Sequence, residues 1–267
     1  MSNLVEAPFT DDPRIIALRR QFAARAMMTV RARGDLGTFI TAVVQDDHGN
    51  ALDLSPMHQS WLQHMNYCWS HHLRCMVLAH FGSGKSSTLA VPAVAWLLGH
   101  NPGLRVKVVT NDDSNAVRRV SGIANIMESS AYHDIFPRFH KGTKWTDHEL
   151  YVQRSGHALD PSVQARGVLT TGIGGRADLI VFDDVVDQRN SMDPSQRRKV
   201  ASLIDGTWLS RLEPDARVLY VATLWHLDDA THHLLARKGW CSLKQWVSDD
   251  CQTIEQEVHG AGPDYPE

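Results

Sequence analysis

One stretch constrains this chain more than any other: Met76-Val77-Leu78-Ala79-His80-Phe81-Gly82-Ser83-Gly84-Lys85-Ser86-Ser87-Thr88. An apolar run enters a turn with two glycines, and Lys85, Ser86 and a helix-forming segment follow. That order predicts a strand, a tight loop and a helix. In such a loop backbone N–H groups curl around an anion, a lysine neutralises it and a hydroxyl holds Mg²⁺. The pattern G-x-x-x-x-G-K-[ST] asks for glycine at its first position, where this chain has Ala79; Gly84-Lys85-Ser86 fit the rest. Glycine serves the pattern through positive φ and close backbone approach, and Ala79 is read as needing only a strand-like conformation. The expected nucleotide-binding residues are therefore His80, Phe81, Gly82, Ser83, Gly84, Lys85, Ser86 and Ser87. The competing reading is a chance G-S-G-K-S in a surface turn.

Strand and helix patterns alternate along the rest of the chain. Asp12-Pro13 reads as an N-cap with proline at the first helical position. Ile15, Leu18, Phe22, Ala26 and Val30 then recur at helical spacing, opposite Arg14, Arg19, Arg20, Arg25, Arg31 and Arg33. A solvated amphipathic helix packed on the body is favoured there over a basic arm for DNA or a partner. Residues 1–50 are the expected helical N-terminal region, with 38–54 extended or in loops. Leu54-Ser55-Pro56 opens a helix carrying Gln59, whose amide both donates and accepts and is a candidate reader of adenine. A surface glutamine is the alternative.

Arg74–Ala79, Arg105–Thr110, Leu179–Phe182, Val218–Ala222 and Ser242–Val247 read as strands, with short ones at Leu150–Val152 and Ser162–Leu169. Asp193-Pro194 caps a helix expected to run to about Arg211. Residues 51–247 are thus expected to form one α/β domain, a mostly parallel, doubly wound sheet with helices on both faces. The polar stretch 248–267 reads as a linker or tail. In such sheets ligands sit at the carboxyl ends of strands. The glycine loop, Asp183-Asp184 and Thr223 each follow an apolar strand, so one edge should gather all three.

A length of 267 residues with 43% apolar content allows a substantial core. Lys+Arg 27 against Asp+Glu 30 gives no global sign of nucleic-acid affinity. Cys68, Cys75, Cys241 and Cys251 form no C-x-x-C pair, which favours reduced thiols in a cytosolic compartment. The histidines are not clustered like metal ligands. No apolar run reaches the roughly 18 residues of a membrane span.

Phosphoryl transfer from ATP needs charge stabilisation and an oriented water. In that chemistry Lys85 bridges the terminal phosphates, Ser86 and Asp183 hold Mg²⁺, and Asp184 orients or deprotonates the water. Many ATPases have Glu at that second position. Asp183 and Asp184 as plain strand-end caps is the bland alternative. Arg176 and Arg166 flank a glycine-rich stretch, and either is a candidate arginine finger or a structural residue. Thr223 is a candidate sensor of the γ-phosphate or simply caps the next turn.

These residues, in this order, resemble the ATPase domain of tailed-bacteriophage terminase large subunits, over roughly Leu52 to Trp240. The resemblance is carried by Leu54-Ser55-Pro56-Met57-His58-Gln59, by the loop Ala79 to Ser86, by Val108 to Asp113 and by Ile135-Phe136-Pro137. It continues in Gly174-Gly175-Arg176-Ala177-Asp178-Leu179-Ile180-Val181-Phe182-Asp183-Asp184, in Trp208 to Pro214 and in Ala222-Thr223-Leu224-Trp225-His226. Terminases often lack the first loop glycine, as here. The resemblance implies a P-loop NTPase that uses ATP and Mg²⁺ to move double-stranded DNA into a procapsid. It implies a portal protein and a small terminase subunit as partners and a homo-oligomeric ring on the portal, with a monomer in isolation. The place is the host cytoplasm, with no membrane. Thr223 matches the family's coupling residue. The family's C-terminal nuclease has no counterpart before Glu267, so an isolated ATPase domain without DNA cleavage is expected. The rivals are a helicase-like ATPase and a nucleotide-gated scaffold with little hydrolysis.

Overall fold

The computed structural model describes residues 12–46, 48–156, 159–170, 174–248 and 253–266. The chain begins with α1 (Pro13–Gly34), α2 (Leu36–Val43) and α3 (Pro56–Ser70). Strand β1 (Arg74–Leu78) leads through the glycine loop into a wide π-type turn over Lys85–Ala90 and then α4 (Val91–His100). Pro92, which has no N–H to donate, sits in the first turn of α4. Next come β2 (Val106–Thr110), α5 (Asp113–Glu128), α6 (Ser130–Ile135), β3 (Lys141–Trp145), β4 (Glu149–Val152) and β5 (Val163–Gly167). The remainder is β6 (Ala177–Asp183), α7 (Gln188–Met192), α8 (Pro194–Leu203), β7 (Leu212–Ala222), α9 (Ala230–Leu235), β8 (Trp240–Val247) and β9 (Ile254–His259). Further helical turns carry α8 on to Arg211, as the sequence predicts.

The described strands form one sheet in the order β3-β4-β5-β2-β6-β7-β1-β8-β9. The centre, from β5 to β8, is parallel. Its edges, β3–β4–β5 and β8–β9, are antiparallel. The sheet is therefore mixed. Short connections produce those edges, because a parallel return needs a crossover of a dozen residues or more.

Strand side chains alternate between two cores. Cys75, Val77, Leu179, Val181, Leu219 and Val221 pack with residues of α2 to α6 on one face. Met76, Leu78, Ile180, Phe182, Val218 and Tyr220 pack with Val200, Ile204, Trp208 and Leu234 on the other. Helices thus cover both faces, and the fully apolar strands are those with a core on each side. Trp208 is fully buried and its Nε1–H donates to the Val168 carbonyl at 3.1 Å. Trp208→Ala is expected to cost about 3–5 kcal/mol of stability through cavity formation, read as a lower urea midpoint at unchanged slope.

Three expectations are corrected. The stretch 38–54 is not wholly extended: α2 runs to Val43, capped by Asp35 and burying Leu36, Phe39, Ile40 and Val43 at helical spacing. Gly37 lies inside this helix, where a Cβ would come within 3.3 Å of Leu62 on α3. The stretch 248–267 contains β9, a polar edge strand paired with β8. On α1 only Ala32 is buried, and Leu18, Phe22 and Val30 of the apolar stripe stay exposed. The C-terminal half of α1 docks through Arg33 to the Ile135 carbonyl and through Trp96 Nε1–H to the Ala32 carbonyl.

The fold also gathers residues that are scattered in sequence. His64, Cys68 and Cys241 place their potential ligand atoms within 4.8 Å of one another. Yet His64 Nε2 faces the carbonyls of Met76 and Cys241 at 3.1 and 3.2 Å, and Nδ1 faces the Tyr265 hydroxyl. Nε2 therefore carries the proton, and burial lowers the pKa of this imidazole and favours its neutral form. The trio is packed core. No described helix is long and apolar enough to cross a membrane.

Candidate functional site

The site begins where β1 ends. Ala79 keeps negative φ and donates its N–H to the Ala222 carbonyl at 3.1 Å, extending the strand register by one residue. The turn itself needs Gly82 (φ +76) and Gly84 (φ +83), conformations that favour glycine. Lys85 is buried and folded back over the loop. Its Nζ donates to the carbonyls of Ala79 (2.9 Å) and His80 (2.8 Å) and to the Thr223 hydroxyl (3.1 Å). Burial lowers its pKa, while Asp184 and Asp183 act to raise it.

Opposite the loop lie the ends of β6 and β7. Ser86 Oγ–H donates to Asp183 Oδ1 at 2.8 Å. The hydroxyl and carboxylate are hard oxygen donors, the kind that Mg²⁺ takes. Asp184 has φ +48 and donates its N–H to the Val221 carbonyl. Its Oδ1 accepts the Thr223 N–H at 3.1 Å. Burial first, then the neighbouring Asp183 charge, raise the Asp184 pKa, against the pull of Lys85. Lys85, Ser86, Asp183, Asp184 and Thr223 therefore form one connected cluster.

A cavity of about 630 Å³ opens beside this cluster. The loop lines it with Phe81, Gly82, Gly84, Lys85, Ser86 and Ser87, and Asp184 closes one side. His80 is exposed, and Ser83 is tucked under the loop, its Oγ–H donating to the His80 carbonyl. The far wall comes from Val43, Val44 and Gln45 and from Arg119, Asn125 and Ser129.

Some sequence candidates are not brought to this cavity. Gln59 is exposed and its amide donates to the Leu54 carbonyl at 3.3 Å; its neighbour His58 instead reaches the loop, with Nε2 3.0 Å from the Ser83 carbonyl. Arg176 precedes β6, whose seven residues put it about 20 Å from Asp183 at ~3.3 Å per residue. Arg166 lies on β5, four strands from β1, and its guanidinium sits 3.6 Å from Glu149. Neither arginine reaches the loop of its own chain. Absent from the sequence candidates is Arg119, which lines the cavity. Its Nε–H donates to Asp183 Oδ2 at 2.5 Å. A signal was present: Arg119 falls three residues after Ala116 and four before Ile123, on the buried stripe of α5.

Fold and site together define an α/β protein with a mixed sheet, in which a lysine-bearing glycine loop faces two strand-end carboxylates. The chain matches no family model. In sequence it is similar to the terminase large subunit of Enterobacteria phage T3, with 28% identity over 144 residues, 53% of this chain and 24% of that protein. In structure it is similar to the large terminase of bacteriophage HK97, with a TM-score of 0.52 and 11% identity, over 76% of this chain and 40% of that one. The terminase resemblance is thus found by sequence and by fold, and the chain spans less than half the length of each relative.

Proposed function

We propose that this chain is a P-loop ATPase and that it drives translocation of double-stranded DNA in a phage packaging motor, assembled as a ring with portal and small-subunit partners. The observation that carries the reading is the convergence of loop, Lys85, Ser86, Asp183, Asp184 and Thr223 at the carboxyl ends of β1, β6 and β7. Loop amides and Lys85 hold the phosphates, with Lys85 exchanging its backbone carbonyl partners for phosphate oxygens. Ser86 and Asp183 are the residues that would hold Mg²⁺, which supplies charge neutralisation on the phosphates. Asp184 accepts the proton of the attacking water, and Thr223 fixes that carboxylate through its N–H. The hydroxyl of the same threonine bonds Lys85, so one residue at the end of β7 links the base to the phosphate cation.

Of the arginines singled out in sequence, neither Arg176 nor Arg166 supplies a charge to the leaving phosphate of its own chain. Arg176 lies at the opposite sheet edge of its own chain, so a finger role requires a neighbouring subunit. Turnover per chain is expected to rise with protein concentration, to vanish in EDTA, and to be lost in Lys85→Ala and in Arg176→Ala alone. Mixing the two variants is expected to restore activity, since each supplies what the other lacks. Flat turnover and inactive mixtures, with wild-type hydrolysis intact, would remove Arg176 from the site. A chain that hydrolyses no ATP under any condition, with or without DNA, would overturn the motor reading in favour of a scaffold.

A further inference from the structure

We propose that Arg119 sets the divalent-cation requirement of this site by occupying the carboxylate that the metal needs. The inference rests on the ATP reading above and deepens it into regulation of nucleotide binding.

Asp183 has a fully buried side chain, and both of its oxygens are in use. Oδ1 accepts the Ser86 hydroxyl at 2.8 Å and Oδ2 accepts Arg119 Nε–H at 2.5 Å. Each oxygen keeps a second lone pair, so a cation bound at Asp183 would stand beside both of these partners. A hydroxyl can rotate and still ligate through its lone pairs. A guanidinium is a fixed positive fork with no acceptor, and it repels a divalent cation at the same oxygen. Arg119 is therefore the partner that must leave.

The surroundings give it a place to go. Ala116, Val120, Ile123 and Met127 anchor α5 in the core, so the helix itself stays put. The Arg119 side chain lines the same cavity as Gly82, Gly84, Lys85 and Ser86. Lys85 and Arg119 balance Asp183 and Asp184 in charge. A nucleotide phosphate entering with its cation adds anionic oxygens to this cavity, and these are the partners a displaced guanidinium would take. Asp183 thus exchanges one cation for another, and ion pair and metal site exclude each other.

The test titrates Mg²⁺ into the full chain at fixed N-methylanthraniloyl-ATP and reads the fluorescence of bound nucleotide, for wild type, Arg119→Ala, Arg119→Gln and Arg119→Lys. Thermal melts identify any variant that fails to fold, and the glutamine variant, which keeps a hydrogen-bond donor, stands in for alanine if that one does. Loss of a charged competitor is expected to lower the Mg²⁺ midpoint about tenfold in the alanine and glutamine variants. The lysine variant, which keeps the charge, is expected to return toward the wild-type midpoint. An unmoved midpoint in folded alanine and glutamine variants would overturn the proposal and leave Arg119 a static counter-ion. A midpoint that rises would overturn it as well, making Arg119 a support of the metal site. Wild type that binds no nucleotide at any Mg²⁺ concentration would overturn the ATP reading and this inference together, an outcome distinct from either shift.

Discussion

Replacing Lys85 with alanine is expected to lower ATP turnover by about a thousandfold while the chain still folds. The ammonium is the only cation within hydrogen-bonding distance of both loop and Thr223 among the described residues, through the carbonyls of Ala79 and His80 and the Thr223 hydroxyl. Preorganised charge aimed at a reacting phosphate loses roughly 10²–10³ in rate per donor removed, and a full charge loses more than a neutral donor. The stability cost is small by comparison. Burial already works against the charged form of Lys85. Lys85→Arg is not a conservative rescue, since a planar fork does not fit where a compact ammonium folds back over the turn. Phosphate release and a thermal melt measured side by side check both halves. A variant that keeps a tenth of wild-type turnover would remove Lys85 from the chemistry.

The parts of this site that were legible in sequence are those that sit at the end of an apolar run. Lys85, Ser86, Asp183, Asp184 and Thr223 each follow a strand with core on both faces, and strand direction alone brings them to one edge. The same rule applied to Arg176 points the other way: it stands before β6, so a parallel sheet carries it to the opposite edge. What escaped detection is what depends on long-range packing. Arg119 meets Asp183 across 64 residues, and its helical phase was masked by Arg118 beside it, which is exposed. The wall from Val43 to Gln45 lay in a stretch read as loop, because Gly37 and the threonines Thr38 and Thr41 hid the buried spacing of α2. Strand β9 is polar on an exposed edge and leaves no periodic signal. Local pattern therefore brought these side chains to one sheet edge, and tertiary contact supplied the cavity around them.

Asp184→Asn is expected to separate activity from stability at this site. The residue has φ +48, a left-handed conformation that costs most side chains about 1 kcal/mol or more but that Asn and Asp adopt readily. The substitution therefore preserves the turn after β6. The amide oxygen also keeps the bond from the Thr223 N–H. What disappears is a carboxylate whose pKa is raised by burial and by the charge of Asp183. A raised folded-state pKa means that ionising this group works against folding at neutral pH, so its removal is expected to raise the melting temperature by about 2–4 °C, the equivalent of ~1 kcal/mol in a chain of this size. Loss of a general base is expected to cost roughly 10²–10⁴ in turnover, with nucleotide affinity retained because Lys85 and the loop are untouched. Asp184→Glu restores the charge but places a bulkier residue in the left-handed turn, and it is expected to recover part of the rate at a lower melting temperature than wild type. An asparagine variant with wild-type turnover would show that the water is activated elsewhere. One that is inactive and also less stable would show that the carboxylate is structural, with the electrostatic attraction of Lys85 outweighing the repulsion from Asp183.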